Sequence, residues 1–563
     1  MKETIIILGA GVMQGPAIQI AKELGLYTIA LDGSSSAPNI AMADKFEQID
    51  LKDKDAIETF ARCVQRSTNR LGIMTAGTDF SASVAWTAEK LGLPGIPYEA
   101  ALNASDKSRM RECFKNAALP SPEFFTITSK DQFESQFESK IDNLPLPFPL
   151  VIKPVDNMGS RGCRRVDCIK EFHEAAKSAI GFSRTGRIIV ERFMDGDEFS
   201  VDAIVYKGEI TICGLADRHI FFPPYFIEMG HTMPAKIEPE KQTEILETFR
   251  RGVHALGLAG KDCVGAAKGD IKLTSKGAMI GEIAARLSGG YMSGWTYPYA
   301  SGVFPIKSAI LAAMGREPIG LIPSRDWTCA ERAFISIPGT VKQISNNLSS
   351  DFVNDFFLRI KEGDKVLFPE NNVTKCGNVI ASAQDRETAI NAAEAAARSV
   401  FIRLDPADNK TGEFLGLFHT EAQGYGEYGQ KANVFPPNAF QLTEELLEEL
   451  AQIPDTKGLS SQASTMAIIP FPAFTASKLT DYMGRTVWET LEVIRFLTDL
   501  TLPISDENAE NIIRLGRSFW AALIRGSYQG AVYYIDKLRR NNEKTTTQIN
   551  YSYMPFTPQF AAR

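Results

Sequence analysis

Two largely apolar segments, CVGAAKGDIKL at 263–273 and AMIGEIAARL at 278–287, are separated only by the turn sequence TSKG. They read as adjacent antiparallel strands. Each carries one acid, Asp270 and Glu282, and the short turn lets both carboxylates face one pocket. Acids on otherwise buried strands are costly to desolvate unless a cation meets them. Arg286 and the run Ser288, Gly289, Gly290 follow at once. Two hard oxygen ligands and an arginine suit a divalent cation and a transferring phosphoryl group.

A chain of 563 residues has ample material for three or four domains. Its net charge of −7 offers no basic field for nucleic acid and no polybasic flank for a membrane surface. Small molecules are the expected partners. No apolar run approaches the roughly 20 residues that span a bilayer, and the N-terminus does not read as a secretory signal, so a cytoplasmic location is expected. Eight scattered cysteines and five separated histidines argue against disulfides, structural zinc and a Ser-His-Asp triad.

The N-terminus, IIILGAGVMQGPAIQIAKELGLYTIALDGS, has a strand, a GxGxxxG turn at Gly9, Gly11 and Gly15, a helix, and a second strand ending in Asp32. Such a unit either binds a dinucleotide, with the acid on a ribose, or uses its glycines for tight helix packing. Alternating strand-like and helical segments continue to about Ala104, as in a small doubly wound sheet. A helix then starts at Asp106, and residues 198–217 alternate like a hairpin turning at Lys207 and Gly208. The segment 326–404 reads as α+β, with strands GTVKQI and GNVIASA and an alanine-rich helix from Glu387. Beyond it, Phe440–Ile453, Arg485–Leu500, Ala509–Ile524 and Ser527–Arg540 show helical apolar spacing.

Between these lie further charged features. The strand FPLVIKP presents Lys153, and Gly159, Ser160 and Gly162 follow in DNMGSRGC. A lysine on a rigid strand beside free backbone N–H groups can hold phosphate, although an ordinary hairpin loop with an exposed lysine has the same sequence. IIVERFMDGDEFSVD places Glu191 at one strand end and Glu198 at the start of the next. They are either two solvated acids or a nucleoside-reading edge.

In this order the motifs TAGTD, SDKSRMR, LPSP, VIKP with GSRG, VERFMDGDEFSVD, and GDIKL with GEIAARLSGG resemble the ATP-grasp superfamily of carboxylate–amine ligases over about residues 1–320. The resemblance implies an α/β and α+β architecture with a Rossmann-like pre-ATP-grasp domain at 1–104 and a two-lobed ATP-grasp domain at 105–325, whose lid lobe is about 115–190. A small α+β domain at 326–404 and a helical extension at 405–563 complete it. It implies that the glycine-rich N-terminal unit lines the carboxylate side of a cleft and binds no NAD. Lys107 and Lys153 then hold ATP phosphates, Gly159, Ser160 and Gly162 form the lid loop, and Glu191 with the Arg192, Phe193 and Met194 backbone reads adenine. Glu198 holds the ribose, Asp270 and Glu282 bind magnesium, or manganese in its place, and Arg286 steadies an acyl-phosphate with Ser288, Gly289 and Gly290. Where the family usually has Asn, two residues after the second acid, this chain has Ala284.

The stretch FIEMGHTMPA is similar to the substrate segment of L-amino acid ligases, which makes Glu228 and His231 substrate-binding candidates. His231 reads equally as a structural histidine packed in a semi-rigid, proline-rich loop. The implied reaction is ATP-dependent joining of a small carboxylate to an amine, in a chain that could work as a homodimer. Its alternatives are a bicarbonate-using enzyme of the carbamoyl-phosphate synthetase or biotin carboxylase type, a non-catalytic nucleotide-binding scaffold, and a dehydrogenase.

Overall fold

The computed structural model describes residues 2–138, 144–346, 350–417, 486–498 and 517–543. The helix expected at Phe440–Ile453 lies outside the described residues. Strands β1 (Thr4–Leu8), β2 (Tyr27–Asp32), β3 (Lys45–Gln48) and β4 (Leu71–Thr75) form a parallel sheet in the order β3-β2-β1-β4. Its central strands, buried on both faces, are near-continuous apolar runs, as parallel sheets require. The glycine turn after β1 is filled from within. Gln14 lies over Gly9 and accepts a hydrogen bond from Gly11 N at 3.0 Å. Asp32 accepts from the backbone N–H groups of Ala10 at 2.8 Å and Ser34 at 2.9 Å. Both oxygens of the expected ribose ligand of a dinucleotide enzyme are therefore spent on the turn itself.

A second, antiparallel sheet contains β5 (Phe124–Ile127), β6 (Leu150–Pro154), β7 (Arg164–Val166) and β8 (Ile188–Arg192), ordered β5-β8-β6-β7. Helix Ile169–Phe182 covers one face through Phe172, Ala175, Ala176 and Ala179.

The largest sheet comprises β9 (Asp197–Tyr206), β10 (Glu209–Phe221), β11 (Ile227–Met233), β12 (Val264–Thr274), β13 (Gly277–Ala284), β14 (Thr328–Phe334), β16 (Val353–Leu358) and β18 (Gly377–Ala383). Between and after these lie β15 (Gly339–Asn346), β17 (Lys365–Val366) and β19 (Val400–Leu404). The order β13-β12-β9-β10-β11-β14-β18-β16 runs without a break across the sequence position 325/326. Period-two alternation puts Phe199, Val201, Ala203, Ala267 and Ile271 against helix Pro239–Ala255, whose Ile245, Phe249 and Val253 fill that side. The opposite face carries the charged residues.

The expected hairpin turning at Lys207–Gly208 is present as β9 and β10. The segment around Glu228 and His231 is not a loop but β11, an interior strand. Its pairing with β10 slips by one residue at Met229, and this bulge puts Glu228 and His231 on one face, where an unbroken strand would separate them.

The C-terminal helical segment Arg517–Glu543 packs onto the β17-β15-β19 sheet side and kinks at Ser527, with φ 51 and ψ −153, which divides it into two helices. Two helices were expected there, Ala509–Ile524 and Ser527–Arg540, and the part of the first before Arg517 lies outside the described residues. The helix is buried along most of its length, with Trp520, Ile524, Val532 and Ile535 in one core with Ile337, Ile402 and Leu415. Gln529 ties it to the sheet: Nε2 donates to Ser336 Oγ and Ile402 O, both at 2.8 Å, and Oε1 accepts from Ile337 N at 3.0 Å. Among the described residues no helix is long and apolar enough to cross a membrane.

Replacing Gln529 by Leu keeps its bulk, leaves the Ile337 N–H without its partner at a cost of about 1–3 kcal/mol, and removes two donated bonds. Q529L should lower the melting temperature by several degrees. An unchanged transition would show that the helix is held by apolar packing alone.

Candidate active site

The charged face of the large sheet is organised by register. Directly opposed residues share a face, and one such row runs Lys272, Glu198, Arg218, His231, Glu331 across β12, β9, β10, β11 and β14. A second row, two residues along, runs Glu282, Asp270, Ser200 across β13, β12 and β9. A third holds Ala284, Lys268 and Asp202.

Arg218 joins the rows. Its guanidinium bonds Glu198 and Glu228 and lies 3.0 Å from Asp270 Oδ1. Three surrounding carboxylates outweigh its burial and hold its pKa well above the usual arginine value. Glu228 is buried too, yet His231 and Arg218 keep it ionised far below the ordinary carboxylate range. Asp270 also accepts from Lys268 and, at 3.2 Å, from Ser200 Oγ. Its cross-strand partner Glu282 faces Lys107 Nζ at 3.5 Å. Burial alone would raise the Glu282 pKa, but Lys107 and further cations bring it down to about 2.

The β5-β8-β6-β7 sheet supplies the other wall. Lys153 Nζ bonds Glu191 Oε2 at 2.7 Å, and Arg111 Nε bonds Oε1 at 2.8 Å. Burial would raise the pKa of Glu191; the two cations lower it instead. Its carboxylate is thus fully engaged in holding Lys153, and what the strand end presents to the cavity is the Arg192–Met194 segment. Lys107 stands at the start of its helix, whose N-cap Asp106 accepts from Ser108 N and Arg109 N, and its ammonium donates to Asn157 O at 2.8 Å. The lid turn takes positive φ at Gly159, Ser160 and Gly162, a conformation glycine adopts freely.

The SGG run closes the base. Ser288 N donates to the fully buried Asp202 Oδ1 at 2.8 Å. Gly289 lies against Gly77 of the parallel-sheet domain, where a Cβ on Gly77 would sit 3.2 Å from Gly289 Cα. A Cβ on Gly290 would meet Glu228 Oε1 at 2.8 Å and His231 Cε1 at 3.1 Å. Glycine at 77 and 289 lets two backbones converge, and glycine at 290 leaves room for the Glu228 and His231 side chains. Below them His231 Nδ1 lies 2.9 Å from Glu331 Oε2.

Most of these groups line one cavity of about 400 Å³, with Asp106, Arg111, Asp202 and Glu331 outside its lining. It gathers Lys107, Lys153, Gly159, Ser160, Glu191, Arg192, Phe193, Met194, Glu198, Glu228, His231, Asp270, Glu282, Arg286, Ser288, Gly289 and Gly290. Gly162 is the exception: it packs behind the loop against Phe182 and Pro154. Sequence reasoning missed Arg218, Lys268, Lys272, Tyr291, Arg359, Asn372 and Lys375, which also line the cavity. The hairpin pattern alone does not point to Arg218, which stands opposite Glu198 only because of a bulge between Ile212 and Gly214. Nothing in the local sequence marks Arg359, Asn372 or Lys375, which arrive from the segment between β16 and β18.

Two family models match parts of the chain. Residues 146–293 match the ATP-grasp domain model, and residues 333–405 match L-amino acid ligase C-terminal domain 2. Carnosine synthase 1 of Gallus gallus is 23% identical over 342 residues, which cover 58% of this chain and 36% of that protein. The alanine–anticapsin ligase of Bacillus subtilis strain 168 is 27% identical over 291 residues, 46% of this chain and 58% of the relative. The chain spans less than half the length of the carnosine synthases it matches. The solved L-amino acid ligase from Bacillus licheniformis superposes with a TM-score of 0.61 at 20% identity, over 72% of this chain and 100% of that one. The chain carries an ATP-grasp domain, in the mixed α/β architecture expected from its motifs.

Because the Glu282 pKa is depressed in the folded state, its stabilisation is fully present above the ordinary value of 4.5 and is lost as pH falls toward about 2. The urea midpoint of the native protein should therefore decline relative to that of Glu282→Gln between about pH 6 and about pH 3. Parallel midpoints across that window would remove the Lys107–Glu282 pairing as the cause.

Proposed function

We propose that this chain is an ATP-dependent ligase: it activates a small carboxylate, an amino acid's, as an acyl-phosphate and couples it to an amine, releasing ADP and phosphate. The observation that carries the reading is the convergence of lid loop, paired lysines, opposed carboxylates, Arg286 and SGG backbone on one cavity. The named ligases among its relatives support the substrate class. The same reading places the enzyme in the cytoplasm, where ATP is supplied.

Lys107 and Lys153 hold the phosphates, and the Gly159–Ser160 turn covers them with backbone N–H groups. The Arg192–Met194 backbone reads adenine, with Glu191 acting through Lys153, and Glu198 accepts the ribose hydroxyls.

The residues present fit a magnesium ion. Asp270 and Glu282 are direct cross-strand partners, and Mg²⁺ is bound through one or two carboxylates with phosphates and water completing its shell. Among the described residues no group of three or more His, Cys, Asp or Glu offers an all-protein cage, and Ala284 adds no ligand. When bound, the ion neutralises charge on the phosphates. Arg286 Nε is buried without a hydrogen-bond partner, which leaves it for a bound oxyanion. Arg286 orients the carboxylate and the phosphoryl oxygens, and the Ser288–Gly290 amides stabilise the oxygen that gains charge as the amine attacks. The closed lid excludes water, which would otherwise hydrolyse the acyl-phosphate.

A phosphate-release screen over paired amino acids and small acids, with ATP and Mg²⁺, tests the proposal. Release should require acid and amine together. Bicarbonate-dependent release would instead favour the carboxylating alternative, nucleotide binding without turnover the scaffold, and NAD turnover the dehydrogenase. Glu282→Gln should lower kcat by on the order of a hundredfold or more with the fold intact. Glu198→Ala should raise the KM for ATP more than it lowers kcat, because ribose contacts act in ground and transition states alike. A kcat loss with unchanged KM would give Glu198 another role.

A further inference from the structure

Ten cationic side chains and five carboxylates line the cavity, and the pairing among them is uneven. Every carboxylate has a cationic partner: Glu191 has Lys153 and Arg111, Glu282 has Lys107, and Glu198, Glu228 and Asp270 share Arg218. Arg192 turns to the carbonyls of Pro147 and Phe148. The cations without a carboxylate fall into two groups. Arg161, on the lid turn, and Arg286 stand on the side assigned above to phosphate. Arg359 and Lys375 come from the small domain and stand on the other side, beside Tyr291 and Glu228.

The fold brings this second pair together deliberately. Arg359 N donates to Cys376 O at 2.9 Å, so the segment leaving β16 runs beside the residue that follows Lys375. Lys375 is only 5% exposed, and its ammonium donates to the backbone oxygen of Glu228 at 2.6 Å. Burial lowers its pKa, opposed by the fields of Glu228 and Glu331. Arg359 is exposed at the cavity mouth, where Nη2 donates to Tyr291 Oη at 2.9 Å. Among the described residues neither group has a carboxylate at ion-pair distance. An ammonium held in so little solvent with two donor positions unspent is costly unless an anion meets it.

We propose that Lys375 and Arg359 form a subsite for a carboxylate that is not consumed in the reaction. The inference rests on the ligase reading and extends it: one organic substrate carries a second anionic group, held by the small domain while its other end reacts near Arg286. That carboxylate comes either from the amine substrate or from a dicarboxylic acid substrate. Both sources offer the same planar, two-oxygen acceptor to a guanidinium and an ammonium.

The experiment crosses substrate with variant. The amine arm compares glycine with glycinamide, and other amino acids with their amides; the acid arm compares succinate with succinamate. Each pair is run on the full chain, on Arg359→Gln and on Lys375→Met. In one arm the native protein should favour the carboxylate member about tenfold or more in kcat/KM, as a charge-assisted contact provides. Both variants should abolish that preference, and the KM for ATP should stay within about twofold. Arg359 is exposed, so its variant keeps the test open if Lys375→Met fails to fold. Equal losses on both members of each pair, or no preference in the native protein, would overturn the subsite. If no pair releases phosphate, the ligase reading fails separately. The subsite is then judged by thermal shift: glycine or succinate should stabilise the native protein but not the variants, and no shift in the native protein would overturn it.

Discussion

One guanidinium holds the charged face of the large sheet together. Arg218 meets carboxylates from β9, β11 and β12, and each of those acids also lines the cavity. Without it three partly buried negative charges would repel one another in a medium that screens poorly. In the row it belongs to, Glu198 lies between Lys272 and Arg218, and His231 lies between Arg218 and Glu331. Opposite charges directly across strands stabilise a pairing. The same row sets out the polar groups of the site.

Register explains what was legible in the sequence and what was not. The hairpin turning at Lys207–Gly208 was visible as alternation, and so were the strands carrying Asp270 and Glu282. Counting back from that turn without interruption sets Asp217 opposite Glu198, two like charges. The bulge between Ile212 and Gly214 advances β10 by one residue and delivers Arg218 instead. β11 was hidden for a related reason. Prolines at 223 and 224 and aromatics on either side suggest a loop, and the strand is brief and bulged, so no alternation survives. Arg359 and Lys375 were beyond any local reading, since Lys375 meets Glu228 across 147 residues of chain.

The N-terminal glycines show the opposite case, a strong local signal with a different use. Gly9 and Gly11 make room for Gln14, and Gly77, just past the neighbouring strand β4, makes room for Gly289. The sequence distinguishes a phosphate cradle from a packing device only through what fills the space, and here a side chain of the same turn does so. The parallel domain then contributes shape rather than charge: Met13 and Gly77 are what it presents to the cavity.

Asn372 touches both halves of the site. Its backbone N–H donates to Gly159 O at 3.0 Å on the lid turn, and its side-chain oxygen accepts from Glu228 N at 2.8 Å on β11. Under the proposed function a residue shared in this way would link the two ligands thermodynamically: whatever free energy an organic substrate gained by ordering Asn372, the nucleotide would recover through the Gly159 turn, and by an equal amount in return. The segment that carries Asn372 would then be the element through which each ligand senses the other.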